Sequence, residues 1–590
     1  MTSFAAVPAA STAGILSCDD SLKSRFAIDA DTTVTLTRFF KKGDNLNLDG
    51  TPTKKTAARD LCMVKLNVGP GNPGPAGAPS TSRGIGIEIW LPSPWSGRIH
   101  VIGGGGFAGN ADISSPTQLG TAGSLTQAYE TAGAEGSVTA VNDTGHVAQG
   151  RAGAGSFAML PDGGINRVLW ADFASRGVHE AAVKTKALAA IYYGTAAKYS
   201  YFDGCSTGGR QGHMEAQKYP EDFDGILVGD AALNWTRFIP AELYPQIVMQ
   251  RDLGGAVLTA AQLDLVSSSA VSACDADLNG RHAGYISDPA ACRYDPTKDR
   301  AVLCKANGGS NETAACVSPQ QANAINKMWF GQTVDGSVPS PAATNGYAAT
   351  RLPKQLWFGL TRGTQLAMSS LFGLPGLAAS ANGVPLPFSI ATDQIALNLQ
   401  QPMLSTPAFQ NATGNGADGW KALSYADMAR AQKEGAILDS AFAGINTDNP
   451  DLTRFRDRGG RMLFYYGMAD QLIPIQGSTR YYESAAEKMG GYAALQRFYR
   501  YYPVPGMGHC FGTGSVNGVA GVSPAANPPL PAPGQLFLAL TDWVEKNQAP
   551  ENIVLRTADD SAGRPLCAFP AKLRYMGGDR ARTTSYACKS

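Results

Sequence analysis

Tyr199-Ser200-Tyr201-Phe202-Asp203 runs directly into Gly204-Cys205-Ser206-Thr207-Gly208. The aromatic-rich run reads as a strand, and Gly208 to Lys218 reads as the helix that follows. Small residues around Ser206 permit a turn tight enough to lift its hydroxyl above the end of a sheet. The helix that starts there points its N-terminal N–H groups at the space where an oxyanion would form. In a chain with 68 glycines, G-x-S-x-G alone carries moderate weight. The strand before it and the helix after it carry the rest.

The same alternation continues on both sides. Thr33–Thr37 and Ile87 to Leu91 read as strands. Ile99 to Ile102 is another, and it runs straight into Gly103-Gly104-Gly105-Gly106. Val168 to Tyr193 reads as a long helix, with Ala and Leu spaced for one buried face. Gly225 to Val228, Arg461 to Tyr466 and Arg497 to Val504 are further strands, and Asp542 to Lys546 belongs to a closing helix. Strands alternating with helices predict an α/β fold with a mostly parallel sheet. With the strand–turn–helix at Ser206, the predicted class is the α/β-hydrolase. From about 233 to 448 strand signals fade, and Gly, Ala, Ser and Pro dominate. The expected organisation is therefore a catalytic domain from 1–232 and 449–590, with 233–448 inserted as a large lid. Ser515–Gly534, rich in Pro and Gly, reads as a loop, and there is no internal repeat.

At 590 residues the chain exceeds one ordinary domain, which agrees with a large insertion. Its 44% hydrophobic content is globular, and a formal charge of +1 gives no pull toward nucleic acid or membranes. No apolar run reaches the roughly 18 residues that span a bilayer. There are ten cysteines, with no CxxC and no Cys/His cluster of zinc spacing. They predict five disulfides, hence an oxidising compartment and a secreted or periplasmic protein. Met1 to Thr12 are small and polar, as expected of a mature N-terminus with an added Met and the signal peptide removed. Asn-x-Thr at Asn142, Asn234, Asn311 and Asn411 matters only in a host that glycosylates.

A serine nucleophile needs a base within hydrogen-bond reach, and the base needs an acid to orient it. In α/β-hydrolases these follow in the order Ser, Asp or Glu, His. Of six histidines, His509 alone lies far beyond Ser206 and after a late strand, in Pro505-Gly506-Met507-Gly508-His509-Cys510. Asp470 ends Gly467-Met468-Ala469-Asp470, directly after an earlier strand. Ser206, Asp470 and His509 are thus the expected triad. His213 is expected to pack behind the turn, His100 lies inside a strand, and His282 lies in the lid. Asp203 is too close to Ser206 along the strand, and Asp448 and Asp451 follow no strand. The second oxyanion donor, besides the Thr207 amide, is expected from the Gly103–Gly106 run. Cys205 precedes the nucleophile and Cys510 follows the base, so a triad brings both to bridging distance. That cross-link closes a loop of roughly 300 residues, worth about 5 kcal/mol in the chain-entropy limit.

These segments, Gly204-Cys205-Ser206-Thr207-Gly208-Gly209-Arg210, Gly467-Met468-Ala469-Asp470 and Pro505 to Cys510, resemble the tannase/feruloyl esterase family. That family includes mono(hydroxyethyl) terephthalate hydrolase, and the resemblance covers nearly the whole chain. It implies an α/β-hydrolase with a large lid and the pairs Cys18–Cys62, Cys205–Cys510, Cys274–Cys292, Cys304–Cys316 and Cys567–Cys588. Matching Trp95-Ser96-Gly97-Arg98 to the family puts the oxyanion donor at Gly106. It also implies a structural calcium in the lid, at Asp275, Asp277, Asn279 and Arg281. Here the motif departs: one residue is extra, Asn279 stands where Asp is usual, and so does Ala283. Asp275-x-Asp277-x-Asn279-Gly280 keeps the oxygen spacing of a calcium loop, but its twelfth position is Ile286 rather than Glu. No cofactor is expected for catalysis.

The lid is expected to set specificity, with Trp357, Phe358 and Phe388 as an aromatic wall for a planar acyl group. Members that act on terephthalate half-esters hold the free carboxylate with a lid arginine. Here Val384 falls at that place, and Arg362 is nearby but unmatched. The expected function is a secreted serine carboxylesterase acting on small-molecule esters of hydroxycinnamic or gallic type acids. The alternatives are a terephthalate-type half-ester hydrolase, a serine-dependent acyltransferase and a non-catalytic binding protein.

Overall fold

Nine strands form one sheet in the order β1-β2-β3-β5-β4-β6-β7-β8-β9. They are β1 (Thr32–Phe40), β2 (Asp60–Val68), β3 (Ile85–Ser93), β4 (Arg98–Ile102), β5 (Val138–Asn142), β6 (Tyr199–Cys205), β7 (Gly225–Gly229), β8 (Arg461–Gly467) and β9 (Tyr499–Val504). The computed structural model describes residues 15–51, 53–109, 113, 115–120, 127–147, 154–275, 283–367 and 375–589. Pairs β1/β2, β2/β3 and β3/β5 are antiparallel. From β5 to β9 every pairing is parallel.

Each strand expected from the sequence is present. Within this sheet two strands, β2 and β5, were not foreseen, nor were the short strands outside it. In β2 the alternation is broken by Lys65, which is fully buried with its ammonium 3.4 Å from the equally buried Glu88 carboxylate of β3. The long helix expected over Val168–Tyr193 runs as Arg167–Ala171 and Gly177–Tyr193, joined by a single π turn at Asp172–Arg176. Asp172 is buried there and pairs with Arg176 one turn on.

Helices cover both faces of the sheet. Gly177–Tyr193 and the helix Thr207–Lys218 pack on one face, and Ala128–Glu135 and Gln535–Lys546 pack on the other. The alternation of β6 shows the two layers: Phe202 joins the largest apolar cluster, while Tyr201 joins the cluster beneath Gln535–Lys546. Between β7 and β8 the described residues contain no strand of the large sheet. They carry helices, including Trp235–Ala241, Tyr244–Asp252, Ser389–Leu399 and Tyr425–Ile437, and one hairpin of two-residue strands. The largest apolar cluster runs from the sheet into this segment, from Val228 and Phe464 to Trp235, Trp329 and Phe388.

The helix after β6 lies against the sheet so closely that glycine is required at the contact. A Cβ on Gly209 would stand 2.3 Å from the Gly229 carbonyl oxygen and 2.8 Å from the Ala231 Cα. Both obstacles are backbone, so the helix itself would have to move. Gly209→Ala is expected to destabilise the fold by about 3 kcal/mol, in the overpacking range, read as a lower midpoint in urea unfolding with unchanged slope.

Candidate active site

The parallel strands bring five chain segments to one edge of the sheet. Ile102 pairs with Asp203, Cys205 with Gly229, Gly229 with Tyr465, and Gly467 with Val504. The chain therefore leaves β4 as the glycine run, β6 at Ser206, β7 at Asp230, β8 toward Asp470 and β9 toward His509. The crevice outside the carboxyl ends of parallel strands is where open α/β sheets bind ligands.

Ser206 has φ 63° and ψ −121°, a backbone conformation that L residues adopt at a cost of about 1–3 kcal/mol. Backbone bonds hold it there: its N–H donates to Gly229 at 3.0 Å, and its carbonyl accepts from Arg210 and Ala232, each at 3.1 Å. The turn closes because Gly204 and Gly208 nearly touch; a Cβ on Gly204 would lie 2.7 Å from Gly208.

Asp470 and His509 are both buried. The His509 Nδ1 lies 2.8 Å from Asp470 Oδ2, and Asp470 Oδ1 accepts from the amides of Leu472 and Ile473 at 2.8 and 2.9 Å. With Nδ1–H donating to the carboxylate, Nε2 is the nitrogen left to act as a base. Ser206 and His509 line one cavity of about 500 Å³. Cys205 and Cys510 are bridged across a sequence separation of 305, so a covalent link joins the nucleophile turn to the histidine loop. The other four bridges are Cys18–Cys62, Cys274–Cys292, Cys304–Cys316 and Cys567–Cys588, as the resemblance implies.

Gly106 and Thr207 line the same cavity. Thr207 is the first residue of its helix, so its amide has no partner within that helix. Its hydroxyl donates to the Gly106 carbonyl, which fixes the two segments against each other. The Gln211 side chain accepts from the Gly104 amide at 2.9 Å and holds the glycine run from the other side.

Two residues here escaped the sequence reading. Gln471 accepts the His509 amide at 3.0 Å. Asp230, fully buried at the end of β7, accepts the Gly467 amide at 2.8 Å and the Cys510 amide at 3.0 Å. It thus ties the segment that carries Asp470 to the segment that carries His509, and it does so from a strained φ of 36°. Burial, and then the Asp470 charge, push the Asp230 carboxyl well above the usual carboxylate range. Its position at a strand end beside the nucleophile turn was the available signal.

Of the aromatic residues expected to form the wall, Phe388 lines the cavity and Trp357 and Phe358 do not. Those two belong to the core, with Trp357 against Gly477 and Phe358 edge-on to Trp357. Other described residues supply the wall: Trp235, Phe238, Ile239, Ile390 and Ile473. Val384 is 55% exposed on the small hairpin, away from the cavity. Arg362 is buried elsewhere, donating to the carbonyls of Tyr294 and Asn345 and lying over the Trp329 ring. No lysine or arginine is among the described residues that line the cavity. Its polar side chains beyond the triad include two acids, Asp203 and Glu242.

His213 packs behind the turn, bonded to the Gly209 carbonyl and the Tyr499 hydroxyl, each at 2.7 Å; burial pulls its imidazole down to about 4. His100 lies in β4 and pairs with Glu135 at 3.0 Å. His282 lies outside the described residues, as do Asp277, Asn279 and Arg281 of the expected calcium set. Asp275 is buried and accepts the Gly284 amide at 2.8 Å. Of the expected calcium set, Asp275 is the one residue among those described.

The model of the tannase and feruloyl esterase family matches residues 76–589. The chain belongs to the tannase and feruloyl esterase family. A probable feruloyl esterase of Arthroderma benhamiae is 32% identical over 553 residues, covering 91% of this chain and 87% of that protein. A probable feruloyl esterase B-1 of Aspergillus terreus is 28% identical, covering 84% and 82%. Among solved structures, feruloyl esterase B from Aspergillus oryzae superposes with a TM-score of 0.70 at 25% identity, covering 97% of this chain and 99% of that one. A tannin acyl hydrolase from Aspergillus niger, at 20% identity and a TM-score of 0.68, shares the fold over 97% and 95%. The fold is the α/β-hydrolase, and the family is one of carboxylic ester hydrolases.

Two outcomes follow from the acids of this site. Asp230→Ala leaves the buried Gly467 and Cys510 amides without their acceptor, so a loss of about 2–4 kcal/mol is expected in denaturant unfolding. The family's esterase activity should fall with it even where the variant is fully folded, because both triad loops lose the same tie. Asp203, enclosed by the cavity walls, is pushed up from 3.8 to about 6, mainly by burial and further by Glu135, against the pull of His100. An acid raised in the fold costs nothing below its unfolded value, and stability falls as pH rises from there to the folded value, because only the unfolded chain then gives up its proton. The wild type should therefore lose up to about 2 kcal/mol relative to Asp203→Asn as pH rises from 3.8 through 6, measured by unfolding at several pH values. Equal stability of the two proteins at pH 4 and pH 7 would contradict this.

Proposed function

We propose that the chain is a serine carboxylesterase for esters of aromatic acids of the hydroxycinnamic or gallic type. The observation that carries this is the His509–Asp470 bond, 2.8 Å long, at a cavity that Ser206 also lines from a strained turn. In this reading His509 Nε2 takes the Ser206 proton as Oγ attacks the ester carbonyl. Asp470 keeps the imidazole in the required tautomer and stabilises the imidazolium that forms. The amides of Gly106 and Thr207 receive the oxyanion, each worth roughly 3 kcal/mol by comparison with single-donor deletions. The imidazolium returns the proton to the leaving alcohol, and the acyl-enzyme remains. Water then attacks with His509 again as base, and Ser206 is released.

The cavity wall supports the choice of acyl group. Trp235, Phe238 and Phe388 line the cavity and make its wall aromatic and apolar, the surroundings an aromatic acyl group favours. With no lysine or arginine among its described lining residues, a terephthalate half-ester would bring an unpaired carboxylate beside two acids, at a steep cost. Five disulfides support an oxidising compartment, hence a secreted or periplasmic enzyme.

The test compares initial rates on methyl ferulate, methyl gallate and mono(hydroxyethyl) terephthalate. At least one of the first two should be turned over with kcat/KM ten-fold or more above that for the terephthalate. Ser206→Ala should lower kcat by about 10⁵-fold or more. A folded, oxidised protein that turns over none of the three would end this reading.

A further inference from the structure

On the face of the sheet covered by Gly177–Tyr193 and Thr207–Lys218, three side chains converge that the proposed chemistry does not use. His179 belongs to the first of these helices, Glu215 to the last turn of the second, and Asp222 to the turn that leads into β7. One donor atom from each, an imidazole nitrogen and two carboxylate oxygens, lies within 4.8 Å of the other two. His179 Nδ1 is 2.6 Å from Asp222 Oδ2. Glu215 is only 1% exposed, and neither of its carboxylate oxygens has a hydrogen-bond partner. A carboxyl buried in that way is unfavourable unless something bonds to it. Lys186 and Lys218 lie close enough to draw on its charge, but their ammonium groups are committed elsewhere. Lys186 donates to the Glu221 carbonyl at 3.0 Å, and Lys218 to the Ser175 hydroxyl at 2.9 Å. Burial, and then the like charge of Asp222, push the Glu215 carboxyl well above the usual carboxylate range. Two acids placed so need a positive charge between them, either a proton or a metal ion.

We propose that His179, Glu215 and Asp222 are the protein ligands of a structural zinc ion, a site separate from the catalytic cavity and independent of the esterase reading. Three observations favour the metal. A proton shared between the acids engages one oxygen of Glu215 and leaves the other bare, whereas a metal can be held by both. One imidazole nitrogen with two carboxylates suits zinc, while calcium and magnesium take oxygen alone. The His179 side chain is 30% exposed beside two buried acids, which gives the ion an entry path and its fourth position a water. Neighbours already hold the ligands in place, as the outer shell of a metal site does. The Tyr219 ring stacks on the imidazole, with centroids 3.9 Å apart and planes at 10°. The Asp222 carbonyl accepts from the Ser200 hydroxyl at 2.9 Å. The ion displaces the protons on Glu215 and between His179 and Asp222, which pass to solvent. It ties the end of the nucleophile helix to its neighbouring helix and to the entry of β7, so its effect is on stability and not on bond making.

The test titrates ZnCl2 calorimetrically into the full chain after chelator treatment, for the wild type, Glu215→Gln and His179→Gln. The unfolding midpoint of each is then measured with ZnCl2, with CaCl2 and with EDTA. The wild type should bind one zinc ion at this site with Kd of about 1 µM or tighter. Each variant should weaken that binding by about 100-fold or more, since loss of an outer-shell partner alone costs 10–100-fold. Zinc should raise the wild-type midpoint over its value in EDTA, and should do so in neither variant. Any rise that CaCl2 gives should be the same in all three proteins. His179 is part-exposed, so its variant tests ligation even if Glu215→Gln does not fold. No zinc binding by the wild type would overturn the proposal. Zinc that binds the wild type and both variants equally sits elsewhere, on the triad histidine for example, and would overturn it too. Glu215→Gln more stable than the wild type in zinc and in EDTA alike would assign the cluster to a shared proton instead.

Discussion

The active site depends on how closely the backbone packs at the turn after β6. Gly204, Gly208 and Gly103 approach one another with no room for a Cβ on Gly103 or Gly204. That contact sets the height of Ser206 above the sheet and the start of the helix behind it. It also sets the distance between the helix N-terminus and the glycine run. The strain at Ser206 is tolerated because three backbone bonds and the neighbouring strands over-determine its conformation. Elements farther away, such as the helix Gly177–Tyr193 and the inserted segment, then build against a surface whose shape is already decided.

Around that turn, charge is rationed by burial. Asp203, Asp230 and Glu242 all lie at or beside the cavity, and burial is the first cause that raises each of them. Nearby carboxylate charge adds to the effect in every case: Glu135 at Asp203, and Asp470 at Asp230 and Glu242. Two carboxylates in one dry site disfavour each other's ionisation. The imidazole of His509 therefore faces the Asp470 carboxylate directly, at 2.8 Å, with its neighbours biased toward neutrality. Asp230 combines both effects, since it braces two loops with its oxygens while being held back from adding charge.

Much of this was legible in the order of residues. The strand–turn–helix at Ser206 has a short range, so local sequence reports it well. The spacing of Asp470 and His509 after late strands reflects how parallel strands deliver their C-terminal ends to one edge. Other features depend on partners far away in the chain, and local sequence is silent about them. Lys65 makes β2 look half-exposed, although Glu88 on the next strand neutralises it in the interior. Asp230 reads as an ordinary turn residue until β8 and the histidine loop bring their amides to it. Trp357 and Phe358 have the composition of a binding wall, yet they pack into the core of the insertion while Trp235 and Phe238 take the wall. Aromatic composition marks a surface that wants covering, and only the packing decides whether protein or ligand covers it.

The Cys205–Cys510 bridge joins the two segments that must meet for a proton to pass from serine to histidine. Its consequence lies in the timing of assembly. A chain still in a reducing environment has the same side chains, but its nucleophile turn and its histidine loop are held together by non-covalent contacts alone. Oxidation replaces that reliance with a covalent link, which limits how far the two segments can separate. A chain with these two thiols reduced would lose that constraint, and the meeting of serine and histidine would then rest on the fit of the two loops alone.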